Sequence, residues 1–114
     1  MNNLNRELRR GSIELIILKL LENQEMYGYQ LVSIIEERAG GLFEVAEGTL
    51  YPVLYRLEDR GSIESYRDNP KRGVPRKYYR LTKRGKAYLQ DLLEEWKKFS
   101  AIMQSLLKEE EVVK

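Results

Sequence analysis

At Gly61 the apolar period of this 114-residue chain changes from helical to two, and at Thr82 it changes back. A strand pair set between helices in this way leaves few small architectures open. Upstream, Ser12-Ile-Glu-Leu-Ile-Ile-Leu-Lys-Leu-Leu-Glu opens with an N-cap residue type and is apolar on nearly every side. That predicts a helix from about Ser12 to Asn23, enclosed on both sides. A second helix is expected over Met26–Arg38, with Leu31, Ile34 and Ile35 on its inner face and Gly40-Gly41 as its stop. Leu42–Val45 has the composition of a short strand.

The stretch EGTLYPVLYRLEDR, residues 47–60, repeats Leu50, Val53, Leu54 and Leu57 at helical spacing and ends at Gly61. Pro52 sits inside that pattern. With Thr49 as N-cap, Pro52 falls in the first turn, where amides lack partners and proline costs little. With a start near Glu47, it removes one hydrogen bond and locally opens the turn. Beyond Gly61, Ile63, Ser65 and Arg67 alternate with Glu64, Tyr66 and Asp68, and Lys77, Tyr79 and Leu81 alternate with Tyr78 and Arg80. Asn69-Pro-Lys-Arg-Gly-Val-Pro-Arg76 joins them, so a β-hairpin with a basic tip is expected. Thr82 then caps a final helix running to about Lys108, although Gly85 stands where a capping box would place Glu or Gln. Residues 109–114 read as a flexible tail. The order predicts a mainly α chain with a small β-hairpin: a winged helix-turn-helix over 1–81 and a long C-terminal helix over 82–108.

The net charge of +2 conceals an asymmetry. Residues 1–55 carry 5 basic and 8 acidic side chains, residues 56–86 carry 11 and 4, and residues 87–114 carry 4 and 6. Positive charge concentrated on the third helix and hairpin suits a polyanion such as double-stranded DNA. Arg72, Arg76 and Lys77 of the wing, with Lys83 at the start of the last helix, are the expected phosphate contacts. Groove contacts are expected from Thr49, Tyr51, Pro52, Tyr55 and Arg56; Tyr51 and Tyr55 admit a packing role as well.

The chain has no cysteine and no histidine. Disulfides, thiolate zinc sites and His-based nucleophilic constellations are thereby excluded, and no phosphate-cradling glycine loop is present. Neither a catalytic residue nor a metal or cofactor site is expected. No apolar run approaches the ~20 residues needed to span a bilayer, and MNNLNRELRRGS leads into no cleavage site, so a cytoplasmic protein is expected.

EGTLYPVLYRLEDRGSIES, with MYGYQL upstream and RKYYRLTKRGKAYL downstream, resembles the PadR family of bacterial transcriptional regulators, from about Leu8 to Leu107. The single C-terminal helix is similar to that of the shorter subclass, which includes multidrug-responsive repressors. The resemblance implies a homodimeric repressor that binds a palindromic operator and is released by a small molecule.

The last helix supports a dimer independently. Leu89, Leu92, Trp96, Phe99, Met103 and Leu106 recur in steps of three and four, a longer apolar stripe than one small domain covers easily. Ile13, Ile16 and Ile17 of the first helix are its natural companions at the interface. Trp96 admits two readings, an interface core residue or, with its symmetry mate, a wall for a flat hydrophobic or aromatic ligand. Leu8, Leu15, Leu93 and Phe99 are expected around the same cleft. A DNA-binding repressor or architectural protein without an effector pocket, and a winged-helix protein-interaction module, are the competing functions.

Overall fold

The computed structural model describes residues 3–40 and 47–109, with side chains from Gly11 onward in the first segment and from Gly48 in the second. The expected strand at Leu42–Val45, the side chain of Leu8 and the tail beyond Glu109 lie outside the described residues. The elements are α1 (Asn3–Asn23), β1 (Met26–Tyr27), α2 (Gly28–Ala39), α3 (Glu47–Asp59), β2 (Ile63–Asp68), β3 (Arg76–Leu81) and α4 (Lys83–Leu106). This is a winged helix: mainly helical, with a small antiparallel sheet.

Two boundaries differ from expectation. First, α1 starts at Asn3, so Ser12 lies inside the helix and not at its cap. The preceding residues, NLNRELRR, contain no proline, and Gly11 alone does not break a helix. Second, Met26–Tyr27 is a strand, and α2 begins only at Gly28. Met26 pairs with Tyr79 and Tyr27 with Tyr78, giving a sheet in the order β1-β3-β2. In the hairpin itself, Ile63 pairs with Leu81 and Asp68 with Arg76.

The core gathers apolar faces from every layer. Ile13, Ile17, Leu18 and Leu21 of α1 meet Leu31 and Ile35 of α2, Leu50, Leu54 and Leu57 of α3, and Ile63, Tyr79 and Leu89. Each such side chain contributes ~1.5–3 kcal/mol when fully buried. α3 stops where the sequence says it should. Gly61 adopts φ 79°, its amide donates to Glu58 O at 3.0 Å, and the Ser62 amide donates to Leu57 O at 2.9 Å. Those paired bonds satisfy the orphan carbonyls of the helix end.

The turn out of α3 is also the anchor of α4. Thr82 Oγ1 accepts from the Gly85 amide at 2.9 Å, capping α4, and shares its one hydroxyl proton between the carbonyls of Gly61 (2.7 Å) and Ser62 (3.0 Å). Gly85 explains the missing capping box. A Cβ there would lie 1.9 Å from Ser62 O, so only glycine lets α4 start this close to the turn.

Candidate nucleic-acid interface

α3 buries Leu50, Val53, Leu54 and Leu57, which leaves Gly48, Thr49, Pro52, Tyr55, Arg56 and Asp59 on its outward stripe. The helix begins at Glu47, the second of the two starts considered above. Pro52 therefore leaves the Gly48 carbonyl without its helical donor, at an exposed position where water can satisfy it. Tyr51 turns inward and is half-buried. Its ring closes on the first residue of α2: a Cβ on Gly28 would sit 2.3 Å from the Tyr51 hydroxyl oxygen.

Beside Tyr51 and Tyr55, β3 presents its cations. Tyr27, Tyr29, Tyr51, Tyr55, Tyr79, Arg76 and Lys77 line a cleft of about 210 Å³ between α3, the start of α2 and the wing base. Lys77 Nζ lies 5.6 Å from the centre of the Tyr55 ring, 5.4 Å from that of Tyr79 and 3.7 Å from Glu58 Oε1. Arg76 stacks 4.7 Å over Tyr27. The ring contacts are at cation–π distances and hold both cations at the wing base; Lys77 is in addition ion-paired with Glu58, whereas Arg76 has no such partner among the described residues. Glu58 also accepts from Ser65 Oγ at 2.5 Å, which ties α3 to β2. Tyr79 is 1% exposed, and its burial, followed by the nearby Glu58 carboxylate, pushes its phenol up to about 12.

Arg72 lies at the exposed wing tip and Lys83 is exposed at the first position of α4. Among the described residues, neither these two nor Arg76 makes an ion pair. Their charge is free for an external anion. Arg56 belongs to a different group. Its guanidinium reaches Glu14 of α1 at 3.5 Å, Glu14 accepts from Tyr88 of α4 at 2.7 Å, and Arg60 donates to the same hydroxyl at 3.2 Å. Burial, with Glu14 next, raises the Tyr88 phenol above its usual range. Glu14 and Tyr88 were not singled out from sequence, nor were Tyr27, Tyr29 and Tyr79; the YGY and YRL runs are the only local hints.

The expected interface residues divide. Ile13, Ile17 and Leu89 are buried inside the protomer, packed against its own helices, and present nothing to a partner. Ile16 and Leu92 are half-buried, while Trp96 (52% exposed), Phe99, Met103 and Leu106 stand out along the distal half of α4. Leu15, Trp96 and Phe99 line a cleft of about 290 Å³ between α1 and α4, together with Gly11, Ser12, Leu92 and Glu95. Leu93 faces a separate groove between α1 and α2. No described helix is long and apolar enough to cross a membrane.

Comparison with known proteins places this geometry in context. Residues 17–91 match the model of the transcriptional regulator PadR-like family. An uncharacterized protein of Lysinibacillus sphaericus is 40% identical over 97 residues, covering 85% of this chain and 89% of its own. The negative transcriptional regulator PadR of Bacillus subtilis is 34% identical over 77 residues, which is 68% of this chain and 42% of that longer protein. A transcriptional regulator from Clostridium thermocellum superposes with a TM-score of 0.82 at 33% identity, covering 90% of this chain and 99% of that one.

Proposed function

Because this chain belongs to the PadR-like family of transcriptional regulators, which are not enzymes, we propose that it is a cytoplasmic, homodimeric repressor that binds a palindromic DNA operator. The observation that carries this reading is the convergence of the outward stripe of α3 and the basic wing base around one cleft, where Lys77 pairs with Glu58 and Arg76 has no carboxylate partner among the described residues. In B-DNA a helix fits the major groove while adjacent cations meet phosphates. Thr49, Pro52 and Tyr55 are the groove-facing side chains, with Tyr51 setting the angle of the helix against α2. Arg72, Arg76, Lys77 and Lys83 supply sequence-independent affinity.

The dimer follows from the exposed stripe on α4. Trp96, Phe99, Ile102, Met103 and Leu106 of α4, with Leu107 just beyond its end, are each at least 36% exposed. A contiguous apolar surface of this length calls for a partner, and a two-fold pair is the simplest closed solution. It also holds two copies of α3 at the ~34 Å spacing of successive major-groove faces. Repression is the activity that the Bacillus subtilis relative's name gives to that protein. A small, flat hydrophobic effector fits between α1 and α4, where Trp96 and Phe99 offer aromatic walls.

The wing is tested by combining Arg72→Ala with Arg76→Ala. Operator and random DNA should both bind more weakly, and the salt slope should fall by about two units. An unchanged slope would remove the wing from the interface. Quenching of the single tryptophan by flat aromatic compounds tests the effector cleft; no quenching by any of them would favour a repressor without one.

A further inference from the structure

The outer face of the sheet carries a row of aromatic rings that neither the core nor the stripe of α3 accounts for. Tyr66, Tyr78 and Tyr27 are partners across the order β2-β3-β1, each strand contributing one ring to this face. Tyr66 stacks on Tyr78 with ring centres 5.7 Å apart, and Tyr27 meets Tyr78 edge-on at 5.3 Å. An arginine closes each end of the row. Arg80 lies 5.2 Å from the centre of the Tyr66 ring, and Arg76 lies 4.7 Å from that of Tyr27. The Tyr66 hydroxyl donates to Glu25 at 2.5 Å, which ties β2 to the residue before β1. Cross-strand ring contacts of this kind secure a two-residue edge strand that backbone pairing alone holds weakly.

The two arginines of this row end up in different states. Each stands directly opposite a carboxylate in the hairpin register, Arg80 opposite Glu64 and Arg76 opposite Asp68. Arg80 takes its partner, with Nε 2.8 Å from Glu64 Oε1. Arg76 does not. No ion pair joins it to Asp68 or to any other described residue. It leans the other way, from β3 to the Tyr27 ring on β1. Diagonal neighbours on a sheet lie within reach of a long side chain, so ring and carboxylate compete for the same guanidinium. Paired with Asp68, Arg76 would offer little net charge to a phosphate. Stacked on Tyr27, it keeps its full charge and a donor edge.

We propose that Tyr27 is a positioning residue for DNA binding: its ring withholds Arg76 from Asp68 and presents the uncompensated guanidinium to a phosphate. This role rests on the DNA-binding reading of the wing and adds the side chain that keeps one of its cations available.

The wild-type chain free of DNA gives the first test. By NMR, the side-chain protons of Arg76 should lie upfield of those of Arg72, because an aromatic face shields them; equal shifts would overturn the stacking and the proposal. Binding to a random-sequence duplex at low salt gives the second. Tyr27→Leu should weaken it at least about threefold, the scale of losing an exposed cation–π contact, and lower the salt slope by up to about one unit. Tyr27→Phe keeps the ring and should stay within about twofold of the parent. Asp68→Asn removes the competing carboxylate, so its combination with Tyr27→Leu should bind within about twofold of Asp68→Asn alone. With Arg76→Ala already in place, Tyr27→Leu should change affinity by less than about twofold. A loss that Asp68→Asn does not restore, or that persists beside Arg76→Ala, would overturn the proposal, since the ring would then be touching DNA itself or only supporting the sheet. If Arg76→Ala binds random DNA as the parent does, with the same salt slope, the wing reading of Arg76 fails first and this role falls with it.

Discussion

Replacing Gly85 with alanine should destabilise the fold although alanine is the better helix former. The added Cβ would lie 1.9 Å from the Ser62 carbonyl oxygen and 2.7 Å from Leu81 Cδ1. Either α4 or the turn must retreat by roughly 1.5 Å to restore an ordinary contact. That carbonyl accepts from the Thr82 amide at 3.1 Å and from Thr82 Oγ1 at 3.0 Å, and Thr82 Oγ1 in turn caps the Gly85 amide at 2.9 Å. Two hydrogen bonds at ~1 kcal/mol each and a cap at ~1 kcal/mol are exposed to the shift. Alanine returns ~1 kcal/mol of helix propensity, which leaves a net loss of about 2 kcal/mol. A total margin of ~5–15 kcal/mol survives this, so the variant should fold and be measurable. Urea unfolding at one fixed chain concentration supplies the number, because dimer stability depends on concentration. Gly48→Ala is the control, since its Cβ would meet nothing within 4 Å. It should be neutral to stabilising, by up to ~1 kcal/mol. If Gly85→Ala were as stable as the parent, the close approach of α4 to the turn would not constrain the fold and the reasoning would fail.

Further expectations concern the interface and the helices behind it. Thr49→Val should narrow the gap between operator and random DNA by ~1–3 kcal/mol, whereas Arg56→Ala, whose guanidinium is shared with Glu14, should weaken both alike; competition binding with the two DNAs would expose the reverse pattern. Glu14→Ala strips the shared acceptor from Arg56 and Tyr88 and should cost ~1–3 kcal/mol, read as a lower urea midpoint. The Tyr79 phenol is raised in the fold, so its contribution to stability is complete below pH ~10 and is lost as pH rises toward about 12. Unfolding followed across that window should show a fall of no more than ~1.4 kcal/mol per pH unit from this group, and Tyr79→Phe should flatten it. Truncation after Glu95 removes Trp96, Phe99, Met103 and Leu106 together; an aggregated product or a monomer without operator affinity is expected, and a soluble dimer by sedimentation would place the subunit contact elsewhere.

What the sequence disclosed follows the reach of its physical signals. The apolar stripe of α3, the alternation through β2 and β3, and the Thr82 cap were each legible, because several residues repeat the same instruction. β1 was not: two residues cannot display a period, and Met26–Tyr27 is a strand only because β3 offers it an open edge. The start of α1 was misplaced because Ser12 is a good cap residue type, and only the backbone shows that the helix runs through it. At the interface, the basic wing stood out as a local excess of charge. The tyrosine cleft did not, since Tyr27, Tyr29, Tyr51, Tyr55 and Tyr79 arrive from four different elements and no single spacing links them. Periodicity likewise placed Ile13, Ile17 and Leu89 on an apolar stripe without saying whether a helix of the same copy or another covers it; the fold buries them within the protomer.

The central claim is that two copies of α3, fixed by the α4 interface, read a palindromic site. Fragments of the host genome selected by the full-length protein, then footprinted at single-base resolution, test it most directly. Two symmetric protected half-sites, ~34 Å or a whole number of helical turns apart and bound by two chains per fragment, are the expected result. A single unpaired half-site bound by one chain, or protection with no sequence in common between fragments, would contradict it.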